Sequence, residues 1–333
     1  MFTLKQISRM LAGGAVALSV ATGGALAADV TIRLAHVAPP TSSYQDAANL
    51  FKKHLNAQSG GKMDVQIIPG GALGNLVQLW AQLRAGTLDM HLIDIGAIAP
   101  VKPARQFALL SMPYLFRDQP HFHAFLKSDI FKSMMGDATK KIGIHYVGYL
   151  GDRPPRALST KTKAVKVPAD LKGLKIRTPL NPAITGVFKI WGASPTPLRG
   201  SQIFTALQSG LVEGQDNGII DIVAAGWLPV QNYYSSINYM HSGIGVWMSG
   251  KKWAALSDEQ KKWVTAAANQ TFADNKTLFP KQVAAAVAKA KAAGMTFVDA
   301  DKAAFAKAAR PMINKLDGRM WPKGLYDRIN QIK

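Results

Sequence analysis

An α/β fold in two domains is what this sequence predicts, and three observations carry that reading. Segments with the two-residue period of a strand alternate with segments of helical period, the pattern of a sheet with helices on its faces. The chain has 333 residues, a length that usually divides into two domains. Its composition, 48% apolar and 18% charged, is globular and excludes disorder.

The elements follow in order. Lys5 and Arg9 precede an apolar run from Met10 through Val20, and Ala25-Leu26-Ala27 offers small residues for cleavage. That order of basic, apolar and small segments predicts a secretory signal peptide over residues 1–28, too short to cross a bilayer comfortably. No later stretch approaches the apolar length of a membrane span, so no stable membrane insertion is expected after cleavage. Export also argues against a nucleic-acid partner. Val30–His36 reads as a strand with Val30, Ile32 and Leu34 on one face. Ser42 or Ser43 caps a helix whose apolar face holds Ala47, Leu50, Phe51 and Leu55, and Gly60-Gly61 ends it. Met63–Ile68 is the next strand, then a helix through Leu76, Leu79, Trp80 and Leu83, then the strand Leu88–Ile93. This βαβαβ order implies a parallel sheet.

Further strands are predicted at Ile142–Tyr149, Arg156–Thr160, Leu174–Thr178, Leu211–Gln215, Tyr239–Ser249 and Met295–Val298. The longest helical run is Ser257–Gly294; it opens on the capping sequence Ser257-Asp258-Glu259-Gln260, and Pro280 should kink or interrupt it. Helices around Ala303–Lys315 and Tyr326–Ile332 close the chain. No internal repeat or low-complexity linker divides it, so two domains would be joined by more than one crossing.

The chemistry is restricted by what is missing. With no cysteine, disulfides, thiolate zinc sites and a cysteine nucleophile are all excluded. Hydrolase elbows, zinc-protease helices and the glycine-rich nucleotide loops do not occur. His121 and His123 form the one close histidine pair, but residues two apart on a helix point away from each other. The result favours a binding protein over an enzyme, with no cofactor and no metal. The 40 basic and 20 acidic residues give a net charge of +20. Residues 251–333 hold 16 basic and 7 acidic residues, spread along helices rather than gathered around aromatics, which describes a solvated cationic exterior.

One series of motifs is specific. Pro168-Ala169-Asp170-Leu171-Lys172-Gly173-Leu174-Lys175-Ile176-Arg177-Thr178-Pro179 is followed by Gly192-Ala193-Ser194-Pro195-Thr196-Pro197-Leu198. Phe204-Thr205-Ala206-Leu207-Gln208-Ser209-Gly210-Leu211-Val212-Glu213-Gly214-Gln215-Asp216-Asn217 comes next, and Met112-Pro113-Tyr114-Leu115-Phe116-Arg117-Asp118 lies upstream. In this order and spacing the chain resembles the DctP-type solute-binding proteins of tripartite ATP-independent periplasmic (TRAP) transporters. The resemblance implies a periplasmic binding protein fold: two α/β lobes, a long helix spanning both, and closure on a small organic acid. It implies lobe I from residues 29–151 plus about 243–282, and lobe II from 152–242 plus about 283–333. TRAP membrane permease subunits would be the partner, and the receptor is expected to be a monomer in the periplasm.

Arg177 matches the arginine that pairs with the ligand carboxylate in that family, and a guanidinium in a desolvated cleft suits the task. Arg156 matches a second pocket arginine, with Arg153 its rival in Gly151-Asp152-Arg153-Pro154-Pro155-Arg156. Asn217 matches an asparagine that donates to the carboxylate. Asp94 and Asn75 match positions that read the far end of the ligand, and His36, after the first strand, is a further candidate. Relatives often carry an aromatic residue where this chain has Gly200, so either the ligand is bulkier or another aromatic fills the space. Trp191, Tyr114, Trp247 and Phe204 are candidates, although core packing is the commoner use at such spacings. A metal-using subgroup has Glu-Trp where this chain has Asp216-Asn217, so no cation is expected. With Arg177 the one arginine the motif fixes, a monocarboxylate is favoured over a dicarboxylate. The alternatives are a periplasmic hydrolase or lyase on a similar fold, and a receptor that reports to a kinase.

Overall fold

In the computed structural model, which describes residues 28–333 apart from residue 103, the strands divide between two mixed sheets. The signal peptide expected over residues 1–28 lies, but for its last residue, outside the described residues. Among the described residues no helix is long and apolar enough to cross a membrane.

The chain opens with the predicted alternation: β1 (Val30–Ala35), α1 (Ser43–Gln58), β2 (Met63–Ile68), α2 (Leu76–Ala85) and β3 (Met90–Asp94). Strand β1 lies parallel to both β2 and β3. Ser42 rather than Ser43 caps α1, its Oγ accepting from the Gln45 amide, and Asn75 caps α2 in a reciprocal box with Gln78. Helices α3 (Gln119–Lys127) and α4 (Asp129–Ile142) lead into β4 (Ile144–Asp152).

The chain then crosses to the second sheet with β5 (Arg156–Thr160), β6 (Lys175–Thr178), α5 (Pro182–Ile190) and β7 (Ser194–Pro197). It continues through α6 (Ile203–Gln208), β8 (Gly214–Asn217), α7 (Ile219–Ala224) and β9 (Tyr233–Met240). It returns as β10 (Gly243–Ser249), then α8 (Gly250–Ala255), α9 (Asp258–Ala292), β11 (Thr296–Val298), α10 (Lys302–Leu316) and α11 (Leu325–Asn330). The first sheet has the order β2-β1-β3-β10-β4 and the second β11-β9-β5-β8-β6-β7.

Four expectations change. The first sheet is not purely parallel, because β10 arrives from the other sheet and runs antiparallel to β3 and β4. The run Tyr239–Ser249 is not one strand. It breaks at His241-Ser242, where the chain leaves β5 for β4 and β3, a change of partner that hydrophobic periodicity cannot register. The strand expected at Leu211–Gln215 begins only at Gly214. The residues before it close the turn after α6, with Gly210 at positive φ and the Val212 amide donating to Ala206. Pro280 does not interrupt α9, which runs unbroken for 35 residues. Val264, Ala267 and Ala268 pack into one core and Ala286 and Ala290 into the other, and this anchoring on both sides outweighs the roughly 3 kcal/mol a helical proline costs.

The two crossings lie side by side. Gly243 pairs with Asp152 in one sheet and Met240 with Arg156 in the other, while the Arg153 amide donates to the Ser242 carbonyl. Asn275 of α9 is fixed there too, accepting from the Asp152 amide at 2.9 Å. A Cβ on Gly151 would meet the Asn275 side chain at 2.3 Å, so only glycine allows the long helix this close to the crossing.

His91 on β3 is fully buried, edge-on to Trp80, and donates through Nδ1 to the Ala35 carbonyl. Its Nε2 has no partner among the described residues. Burial therefore pushes its pKa down to about 4, the Ala35 bond opposing only in part. The unfolded chain takes up that proton near pH 6.5, so the stability is fully present above that value and is lost as pH falls toward 4. We predict that His91 alone makes the protein about 1 kcal/mol less stable at pH 5.5 than at pH 7.5. Urea unfolding at the two pH values checks this, and equal or greater stability at pH 5.5 contradicts it.

Candidate functional site

The order β5-β8-β6 in the second sheet sets three polar side chains at neighbouring strand ends. Ala157 is opposite Asn217, and Arg177 is opposite Gln215, so Arg156, Asn217 and Arg177 share one edge. All three line a cavity of about 320 Å³ closed on its other side by residues of the first lobe.

Each of the three is held by its own supports. Arg156 donates from Nε to Asp216 Oδ2 at 2.8 Å and from Nη2 to the Asp216 carbonyl at 2.6 Å. The Tyr239 hydroxyl donates to the same carboxylate oxygen at 2.6 Å. Burial by itself would lower the Arg156 pKa, but Asp216 more than offsets it and the guanidinium is held firmly charged. Asn217 ends a chain of oriented bonds: its Nδ2 donates to Gln215, Gln215 to Ser159, and Ser159 to Gln231, each at 2.7 Å. Because Gln231 Nε2 donates to the Val230 carbonyl, the direction of the whole chain is set.

Arg177 is different. Its Nε and Nη2 donate to one acceptor, the Leu198 carbonyl, at 3.1 and 2.7 Å. It is 5% exposed and forms no salt bridge among the described residues. Burial pulls its pKa down to about 10; Asp216 opposes this from a distance, and Arg156 adds to it. The guanidinium is still charged at neutral pH, but it lacks the carboxylate that a buried cation normally pairs with.

The facing wall carries a second ionic group. Arg153 bridges Asp94 of the first lobe at 3.4 Å and Asp221 of the second at 2.6 Å, with its guanidinium 5.0 Å from the Tyr44 ring. Thr41 to the Ala224 carbonyl and Asn181 to Ser111 Oγ add further links between the lobes. Both rival arginines therefore line the cavity, Arg153 across the lobes and Arg156 within one.

Asp94 lines the cavity as a buried residue whose oxygens accept from Gly96 and Arg153. Asn75 lines it at the start of α2, its Oδ1 engaged in the helix cap. His36 is not among the lining residues: it is fully buried, with Nε2 bonded to Gln45, and the chain turns into the cavity only at Val37. Of the four candidate aromatics, Trp191 and Trp247 are core residues, Tyr114 bonds the Ile237 carbonyl and Phe204 is exposed; none lines the cavity. Tyr44 and Trp227, which sequence reasoning missed, supply the aromatic surface. Tyr44 sits one residue into the helix that Ser42 caps, a position no motif marked. His121 bonds the Ile329 carbonyl and His123 bonds Asp152, and among the described residues no three His, Asp or Glu side chains gather to hold a metal.

Two α/β lobes crossed by a long helix, with a buried arginine in the cleft between them, define a bilobal solute receptor. The chain belongs to the DctP family, bacterial extracellular solute-binding protein family 7, whose profile matches residues 34–318. It is 30% identical to a solute-binding protein of Roseobacter denitrificans over 89% of each chain. A TRAP periplasmic solute-binding protein from Bordetella bronchispeptica, with density attributed to pantoate, is 31% identical. It superposes with a TM-score of 0.84, covering 91% of this chain and 99% of that one. A TRAP periplasmic solute-binding protein from Citrobacter koseri with bound D-glucuronate is 28% identical, with a TM-score of 0.83 over 91% and 99%. These relatives are binding proteins and not enzymes.

Asp216 is fully buried and is the sole carboxylate bonded to Arg156 among the described residues. We predict that Asp216→Ala lowers folding stability by about 3 kcal/mol or more, since it leaves a buried guanidinium uncompensated. Chemical denaturation of the variant tests this, and a loss below about 1 kcal/mol contradicts it.

Proposed function

We propose that this protein captures a small monocarboxylate in the periplasm, closes its lobes on it and delivers it to a TRAP membrane permease. The observation that carries the reading is Arg177, a buried guanidinium without a carboxylate partner among the described residues. A ligand carboxylate supplies the missing anion, and Arg156 and Asn217 stand on adjacent strands to share it. The bound acids of the similar proteins, pantoate and D-glucuronate, support the same class.

In this reading residues 1–28 are removed as a signal peptide. Lobe I comprises residues 29–151 plus about 243–282, and lobe II comprises 152–242 plus about 283–333. The two adjacent crossings serve as the hinge, and Arg153 links the lobes on the closed side through Asp94 and Asp221. The ligand binds the closed form more tightly than the open one, and this difference drives closure.

The acid released from denatured protein, identified by mass spectrometry, serves for titration calorimetry. We predict that Arg177→Ala weakens its binding by at least about 2 kcal/mol, roughly thirtyfold. Arg177→Lys should recover only part of this, because an ammonium cannot reproduce the paired donors. Unchanged affinity in Arg177→Ala would remove Arg177 from the carboxylate site.

A further inference from the structure

We infer that the cavity selects monocarboxylates whose body is apolar, whether branched, alicyclic or aromatic, over polyhydroxylated sugar acids. This rests on Arg177 being the carboxylate partner, and it follows from how the remaining lining is already committed. Away from Arg177 the wall is built from Val37, Leu76, Ile93, Leu198 and Trp227, and Leu180 extends it to the mouth.

The polar side chains on that wall are engaged inside the protein. Asp94 accepts from the Gly96 amide and from Arg153, and Asp221 accepts from Arg153. Ser42 donates to the Pro39 carbonyl while accepting from Gln45. Asn181 caps α5 with its oxygen and donates its amide to Ser111. The oxygens of Asn75 and Gln78 are held in the cap of α2. Side chains that line the cavity but stay exposed to water, such as Gln78, Arg199 and Ser201, belong to its mouth. In the interior, the Tyr44 hydroxyl and Arg153 Nε have no bond among the described residues, so the wall can meet two ligand oxygens, fewer than a sugar acid brings.

A sugar acid brings four or more hydroxyls into such a site. Each hydroxyl that loses water without gaining a partner weakens binding by about tenfold. An apolar body loses nothing of this kind and gains the burial of its own surface. Gly200 works in the same direction: a Cβ placed there would have only the Val37 carbonyl nearby, at 3.9 Å, which leaves room for bulk beside the wall.

Calorimetry of the mature chain against phenylacetate, cyclohexanecarboxylate and 4-methyl-2-oxopentanoate, with D-glucuronate, L-galactonate and neutral phenylacetamide as comparisons, tests the inference. At least one apolar acid should bind ten times more tightly than either sugar acid, and phenylacetamide should give no measurable heat. Leu180 lines the cavity yet is 37% exposed, so Leu180→Ser should keep the parental melting temperature while weakening that acid several-fold. A sugar acid that binds more tightly than every apolar acid overturns the inference and leaves the carboxylate reading standing. Amide binding as tight as that of phenylacetate overturns the carboxylate reading itself. No binding by any acid overturns both, and an unaltered affinity in Leu180→Ser removes that wall from recognition.

Discussion

A guanidinium taken out of water must find an anion or lose much of its stability as a charge, and the ends of β5 and β6 in this protein bury one each. Arg156 has its anion within the chain: Asp216, itself held by Tyr239, grips one edge of the guanidinium. Arg177 has only the Leu198 carbonyl. The fold can tolerate that imbalance because β5 is packed on both faces, with the buried strand β8 and the largely buried strand β6 beside it. Ala157 and Leu158, neighbours on β5, point into different cores. In the proposed function the site is thus charged in advance, and the cost of burying Arg177 is offset when an acid arrives.

In the same proposal, the remainder of the architecture makes that offset depend on closure. The cavity lies between the lobes, lined by second-lobe arginines on one side and first-lobe residues on the other, so an acid bound as proposed would touch both. The chain crosses twice at one place, and α9 is fastened to that place through Asn275. Long-range ties also hold α9 to the first lobe, His54 to Asp274 and Gln282 to Asp46. Of the net charge of +20, by contrast, +9 (16 basic and 7 acidic residues) lies in residues 251–333, on the C-terminal helices, where it acts on an anion only as a diffuse field.

Much of this was legible from sequence, for physical reasons that differ by element. The opening βαβαβ unit followed from period and caps, since the burial pattern of each element is written in its own residues even though its strands pair across the sheet. That Arg177 and Asn217 line the cavity was legible because they sit in motifs with a fixed spacing. The Arg156–Asp216–Tyr239 group was not, because its members are 60 and 83 residues apart and meet only through strand pairing. The choice between Arg153 and Arg156 was left open by sequence because two prolines separate them; the structure gives each a different carboxylate. His36 failed as a lining residue because the strand turns it into the core one residue before the chain reaches the cavity. The break at His241-Ser242 and the survival of α9 through Pro280 were both decided by tertiary packing.

In the proposed function Arg177 takes its missing anion from the ligand. A crystal structure of the mature protein with its co-purified acid tests that most directly. A ligand carboxylate oxygen is expected about 2.7–2.9 Å from the Arg177 guanidinium, with Arg156 and Asn217 beside it. A bound acid whose carboxylate lies elsewhere in the cavity, with Arg177 still bonded only to Leu198, would contradict it.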